Sequence, residues 1–169
     1  MFGDIRRARL IAGSAACIGL IALGGWISIP FFPVPITLQT LFVLLAGAVL
    51  HRYAVVPVSL YLLLGALGLP LFHNGTAGVG VLLGPTGGYL VGFILAALIA
   101  GIGFEYQSPA IRIAGIIGAT LAIYACGIAW LVSSTGLPVL PAIVAGMLPF
   151  LPGDAVKAFA AYRIAGRLP

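Results

Sequence analysis

The stretch Pro152-Gly153-Asp154-Ala155-Val156-Lys157 lies between an apolar run, Val139 to Leu151, and a small, Ala-rich one, Ala158 to Ala165. Asp154 and Lys157 are three residues apart, so on a helix they share one face and reach the same object. With apolar sequence on both sides, the pair sits at membrane depth, where each ionised side chain costs roughly 2.5–3.5 kcal/mol or more on insertion scales. Two uses account for such a pair. One is an internal salt bridge that holds two helices in register. The other is a binding site for a polar ligand inside a bundle of membrane helices.

Composition supports the membrane setting. Of 169 residues, 62% are hydrophobic and 7% are charged, and the mean hydropathy is +1.24. A soluble domain carries about 25% charged residues, so the chain reads as one all-α, polytopic membrane domain over 1–169. A net charge of +5 would suggest nucleic acid in a soluble protein. Here the basic residues mark segment ends, so they report membrane orientation and nucleic acid is excluded. Cys17 and Cys126 lie inside apolar segments with no His or acid spaced to join them; they read as packing residues, neither a disulfide nor a metal pair. The basic start, Met1 to Arg9, leads into an apolar run that ends at Ile27-Ser28-Ile29-Pro30-Phe31-Phe32-Pro33 without a small-residue cleavage pattern. It reads as a retained first transmembrane helix.

Six spans are expected, at about 8–29, 36–50, 55–69, 86–104, 111–132 and 139–165, the last interrupted by Pro149 and Pro152-Gly153. The second and third are short against the ~20 residues a helix needs to cross the hydrocarbon, and a single hairpin element there would give five spans. The arginines arbitrate. With six spans and both termini cytoplasmic, Arg6, Arg7, Arg9, Arg52, Arg112, Arg163 and Arg167 all fall on the inner side; five spans would put Arg163 and Arg167 outside. The outer connections are then Pro30 to Pro35, the Gly-rich Leu71 to Pro85 between helices 3 and 4, and Ser133 to Pro138. The charged pair lies below the last of these and faces outward, beside a break of the kind tolerated where backbone lines a cavity. Small residues recur every fourth position at Ala8, Ala12 and Ala16, and again at Gly88, Gly92, Ala96 and Ala100. Such stripes let helices approach closely in lipid; the first could instead dock another membrane protein.

The chain lacks the usual signs of catalysis. Gly84-Pro85-Thr86-Gly87-Gly88 has neither the Lys nor the spacing of a phosphate-cradling loop, and no zinc-protease or Ser/His/Asp arrangement is present. His51 and His73 read as interfacial, and Glu105 as a solvated acid near Arg112. What remains is polar decoration around one outer cavity: Thr37, Gln39, Asn74, Thr86, Tyr89, Tyr124, Asp154 and Lys157. Thr37 and Tyr124, taken singly, read as groups that bond a neighbouring backbone. Asn74-Gly75-Thr76 also matches a glycosylation acceptor. Gly75, Gly78 and Gly80 suit a hinged lid. A cavity with aromatics, amides, one acid and one base suits a small zwitterion-like or amide-bearing metabolite, with no cofactor and no metal.

Four motifs in order then carry a resemblance: Pro33-Val34-Pro35-Ile36-Thr37-Leu38-Gln39-Thr40, Gly65-Ala66-Leu67-Gly68-Leu69-Pro70-Leu71-Phe72, Gly84-Pro85-Thr86-Gly87-Gly88-Tyr89-Leu90-Val91-Gly92-Phe93, and Pro149-Phe150-Leu151-Pro152-Gly153-Asp154-Ala155-Val156-Lys157. Together they resemble the biotin-specific substrate-binding (S) components of energy-coupling factor (ECF) transporters, across essentially the whole chain. The resemblance implies a six-helix protein of the plasma membrane that captures biotin from outside. It implies partners too: a transmembrane coupling protein and two cytoplasmic ATPases, with the Ala8/Ala12/Ala16 face docking the former. Its implied ligand contacts fall on Asn74, Tyr89, Asp154 and Lys157, with Gln39 and Thr86 beside them. His73 and Thr76 depart from the Gly-rich form of the family's loop. On this reading Asp154 and Asn74 bond the ureido group, Lys157 faces a ligand oxygen, and Tyr89 and Phe93 cover the rings. The competing readings are an S component for another vitamin, an intramembrane lipid-acting enzyme and a structural scaffold.

Overall fold

The computed structural model describes residues 2–167, with the side chains of Phe2–Arg6 and Arg9 left out, so Arg6 and Arg9 of the orientation argument lie outside the described side chains. Six apolar rods form the bundle. They are α1 (Phe2–Trp26), α2 (Gln39–Leu50), α3 (Val55–Ala66), α5 (Gly87–Phe104), α6 (Pro109–Thr135) and the bent pair α7 (Val139–Gly146) with α8 (Leu151–Ala165). A short α4 (Val79–Leu83) lies between α3 and α5.

Gln39–Ala66 is apolar over 28 residues, long enough to be one span, but it is not one rod. A 3-10 turn, His51–Ala54, reverses the chain, with His51 at φ 55° and ψ −142°. The Gln39 side chain at the start of α2 consequently reaches Tyr61 in α3. In a straight helix those residues would be about 33 Å apart. The hairpin therefore supplies two of the six rods.

The core sits where α5 meets its neighbours. Ala96, Ala97 and Ala100 of α5 are fully buried. A Cβ on Gly47 of α2 would meet Ala100 and Gly101 at about 3.0 Å, and one on Gly103 of α5 would meet Gly115 of α6 at 3.0 Å. Small residues set these close crossings, as expected where lipid gives helices no hydrophobic reason to associate. The α1 stripe behaves differently: Ala8, Ala12 and Ala16 are all exposed on the outside of the bundle.

Three details differ from the sequence expectation. The sixth span breaks at Met147–Phe150, with a 54° bend between α7 and α8. Pro152-Gly153 is not part of that break; it lies in the first turn of α8, where proline's missing N–H would have no intrahelical acceptor anyway. The connection after α3 is not a plain loop either, since it holds a 3-10 turn (His73–Gly75) and α4. Phe72 anchors its start: fully buried, it stacks edge-on against Tyr61 at 5.6 Å and lies against the bare backbone of Gly65. Finally, the Pro30–Pro35 connection is closed by a two-residue antiparallel pair, β1 (Ser28–Ile29) with β2 (Ile36–Thr37), and contains a cis Phe32–Pro33 bond.

At the end of the bundle that carries the arginines, Glu105 does not pair with Arg112. It accepts two bonds from the Arg52 guanidinium, at 2.7 and 2.5 Å. Arg112 instead donates to the Tyr106 carbonyl and to Gln107. The side-chain hydrogen bonds from Arg52 are the main cause that holds the Glu105 carboxyl down at about 2.

Candidate functional site

The first turns of α8 carry Asp154 and Lys157 inward, and both are buried. Their spacing brings Lys157 Nζ within 2.8 Å of Asp154 Oδ1. The same ammonium donates to the Thr37 carbonyl at 2.6 Å and to Thr40 Oγ1 at 3.3 Å. An ammonium has three donors, so the protein satisfies all of them. Asp154 accepts from Thr40 Oγ1 at 3.1 Å through Oδ1, and from the Tyr124 hydroxyl through Oδ2. The pair thus ties four elements together: the end of β2, the start of α2, the middle of α6 and the start of α8.

Tyr124 and Thr40 enlarge the sequence reading. Tyr124 does not bond a neighbouring backbone; its hydroxyl donates to the buried carboxylate. Thr40 was missed, although its position one residue after Gln39 on the first turn of α2 was the available signal. Lys157 also reaches the Thr37 carbonyl, an acceptor that no side-chain pattern reveals.

A cavity opens over this cluster. Its walls include Val34, Thr40, His73, Tyr89, Phe93 and Phe150, along with Thr37, Gln39, Thr86, Tyr124, Asp154 and Lys157. Tyr89 projects from α5 into a niche made by two glycines: a Cβ on Gly127 of α6 would run into its ring, and one on Gly146 of α7 into its hydroxyl. That hydroxyl donates to the Gly146 carbonyl at 2.9 Å. Gln39 faces the cavity while both ends of its amide are occupied. Its Oε1 accepts from Thr37 Oγ1 at 3.1 Å and its Nε2 donates to Tyr61, whose hydroxyl donates on to the Leu71 carbonyl at 3.1 Å. Thr86 is buried at the start of α5, with the Val81 carbonyl 3.5 Å from its hydroxyl.

Asn74 lies apart from these residues. It is exposed, takes left-handed geometry at φ 54°, and lines a shallow outer groove with Phe31, Phe32 and His73. Asparagine tolerates that geometry better than most side chains. Its neighbour His73, read from sequence as interfacial, lines both the groove and the inner cavity. Burial holds the His73 imidazole below its ordinary pKa. Phe31 closes the outer side by packing edge-on against Phe150, with ring centroids 6.0 Å apart.

Residues 3–169 match the family model described as "BioY family". The chain belongs to the BioY family. Among curated BioY relatives, the "Biotin transporter BioY" of Thermotoga maritima is 44% identical over 88% of this chain and 89% of its own. That of Rhodobacter capsulatus is 44% identical over 90% and 87%. The fold matches a solved structure, "Crystal structure at 2.1 A of the S-component for biotin from an ECF-type ABC transporter", with a TM-score of 0.87, 26% identity and coverage of 97% and 92%. The family expected from the four sequence motifs is therefore the family found, and this BioY chain is a multi-pass membrane protein.

Proposed function

We propose that this BioY protein captures biotin in the cavity above Asp154 and Lys157, as the substrate-binding component of an ECF-type transporter. The observation that carries the reading is a buried acid–base pair lining a largely apolar cavity, in a chain whose relatives are biotin transporters. Biotin carries two ureido N–H donors, a ureido carbonyl, an apolar bicycle and a carboxylate tail. Asp154 accepts from a ureido N–H, and Tyr124 or Lys157 donates to a ligand oxygen after releasing a protein partner. Tyr89 and Phe93 cover the rings. Asn74 joins the ligand only if the Gly-rich connection carries it inward.

Loading needs such a movement. The cavity holds about 50 Å³, against roughly 300–1,000 Å³ for sites that enclose molecules of drug size. The Pro30–Pro35 connection and the segment from His73 to Pro85 are the walls free to separate, because the remaining lining stands on packed helices. The arginine-bearing end faces the cytoplasm by the positive-inside rule, so the cavity faces outward. The exposed Ala8/Ala12/Ala16 face docks the transmembrane coupling protein, which links the chain to two ATPases.

Calorimetric titration of the purified protein with biotin, desthiobiotin and thiamine tests the substrate. Tight biotin binding that Asp154→Asn abolishes supports both ligand and site. Binding of thiamine but not biotin would retain the architecture and remove the substrate assignment. A second reading has its own support: with every Lys157 donor already engaged, the pair can act as a strut. Normal biotin affinity in a folded Asp154→Asn protein would favour the strut.

A further inference from the structure

Another cavity, polar and of about 260 Å³, lies at the opposite, arginine-bearing end and is lined by Phe104, Arg112, Tyr162, Arg163, Gly166 and Arg167. It is assembled from the end of α5, the first turn of α6 and the end of α8. The charge inventory makes it unusual. The chain has three acids, Asp4, Glu105 and Asp154. Glu105 is committed to Arg52 and Asp154 to Lys157. Of the acidic side chains, Asp4 alone is therefore left to set against the six arginines outside those two pairs. Among the described residues, no carboxylate forms a salt bridge with Arg112, Arg163 or Arg167.

Two of these arginines are also oriented. Arg112 is held by bonds from Nε to the Tyr106 carbonyl at 2.9 Å and from Nη2 to Gln107 at 3.2 Å, with its guanidinium 5.6 Å from the centre of the Phe104 ring. A guanidinium has five donors, so this leaves part of the fork open. Arg163 rests over the Phe159 ring at 5.8 Å. The backbone contributes nothing, because the N–H groups of Gly166 and Arg167 already bond the Tyr162 and Ile164 carbonyls. Phe159, Ile164 and Ile113, on the same turns, present exposed apolar side chains. The guanidiniums thus stand on the same helical turns as exposed side chains suited to acyl chains.

The geometry points to a binding site for the phosphodiester headgroup of an anionic phospholipid between α5, α6 and α8. Guanidinium forks match phosphate oxygens in pairs, and basic recesses between membrane helices at the interface hold such headgroups. This inference is independent of the biotin reading.

Native mass spectrometry of the delipidated, detergent-purified chain tests it, with phosphatidylglycerol, phosphatidylcholine and inorganic phosphate as probes. Phosphatidylglycerol should bind preferentially. Arg163→Gln with Arg167→Gln should weaken that binding roughly tenfold or more, while biotin affinity stays unchanged. Arg7→Gln, which removes the same charge from exposed α1, should change it less than twofold. Because Arg112 supports the α5–α6 turn, Arg112→Lys is its test; it keeps the charge and should lose part of the preference. Equal losses in Arg7→Gln and the double variant would reduce the effect to general charge and overturn the site. So would equal binding of phosphatidylcholine, undiminished phosphatidylglycerol binding in the double variant, or inorganic phosphate that displaces the lipid at equal concentration.

Discussion

Lys157 of α8 donates to the backbone carbonyl of Thr37, 120 positions earlier in the chain, at 2.6 Å. The bond makes the end of β2, just ahead of α2, part of the floor of the candidate site. Loss of the ammonium would leave both this carbonyl and the Asp154 carboxylate buried without their cation. Removing one member of a buried ion pair costs about 3–5 kcal/mol. Lys157→Met should therefore lower thermal stability strongly. Asp154→Asn combined with Lys157→Met should recover much of that stability without recovering biotin capture. Recovery of both would sink the binding role.

Tyr124 offers a gentler probe. Tyr124→Phe deletes the hydroxyl that reaches Asp154 and keeps the ring. Hydrogen bonds to charged groups are worth about 1.5–3 kcal/mol. Biotin affinity should fall by roughly ten- to a hundredfold, with the melting temperature less affected than in the Lys157 variant. A titration that shows unchanged affinity would place Tyr124 outside ligand recognition.

The glycine niche around Tyr89 predicts a rescue. Gly146→Ala puts a methyl group against the Tyr89 hydroxyl, and overpacking of this kind costs about 1–3 kcal/mol. Adding Tyr89→Phe removes the obstructing oxygen and should return part of the stability. Gly127→Ala, which meets the ring itself, should not be rescued that way. Thermal denaturation of the four proteins checks the pattern.

The outer contact between Phe31 and Phe150 should govern residence time. Edge-to-face aromatic pairs contribute about 0.5–1.5 kcal/mol beyond their buried area. Phe31→Ala should speed biotin release by roughly two- to tenfold, with a smaller change in the association rate. Stopped-flow displacement measures both.

Acid should act first at the other end. The Glu105 carboxyl, ordinarily near 4.5, is held at about 2 by Arg52. A depressed acid contributes stability above its unfolded pKa and loses it as pH falls towards the folded one. Wild type should exceed Glu105→Gln in melting temperature at pH 7, and the gap should close between pH 4.5 and 2. The pair is solvent-exposed, so the gap should be modest and shrink in salt. A gap that persists unchanged at the acid end would assign it to another group.

Much of this was legible because membrane sequences carry few charges, and each one therefore says a good deal. Asp154 and Lys157 could be paired from their spacing alone, and hydropathy with the arginines gave the six rods. Reading failed where the partner was backbone or distant. Nothing local in the sequence tells that Lys157 meets the Thr37 carbonyl, or that Glu105 passes over Arg112 for Arg52, because a 3-10 turn decides the latter. Nothing local marks Gly127 and Gly146 as a niche either, because the Tyr89 side chain that fills it comes from another helix. Pro152 read as a breaker, although proline fits the opening turn of a helix.

Phe72 has one further consequence. With its ring clasped by Tyr61 and Gly65, the Gly-rich segment is fastened at the very point where it leaves α3. Any motion of that segment must swing from that post, like a gate on a hinge pin, and its far end is already fixed by the first turn of α5. The aperture is then set by the slack of the chain between those two fixings. Lengthening the segment would widen the door without touching the lock.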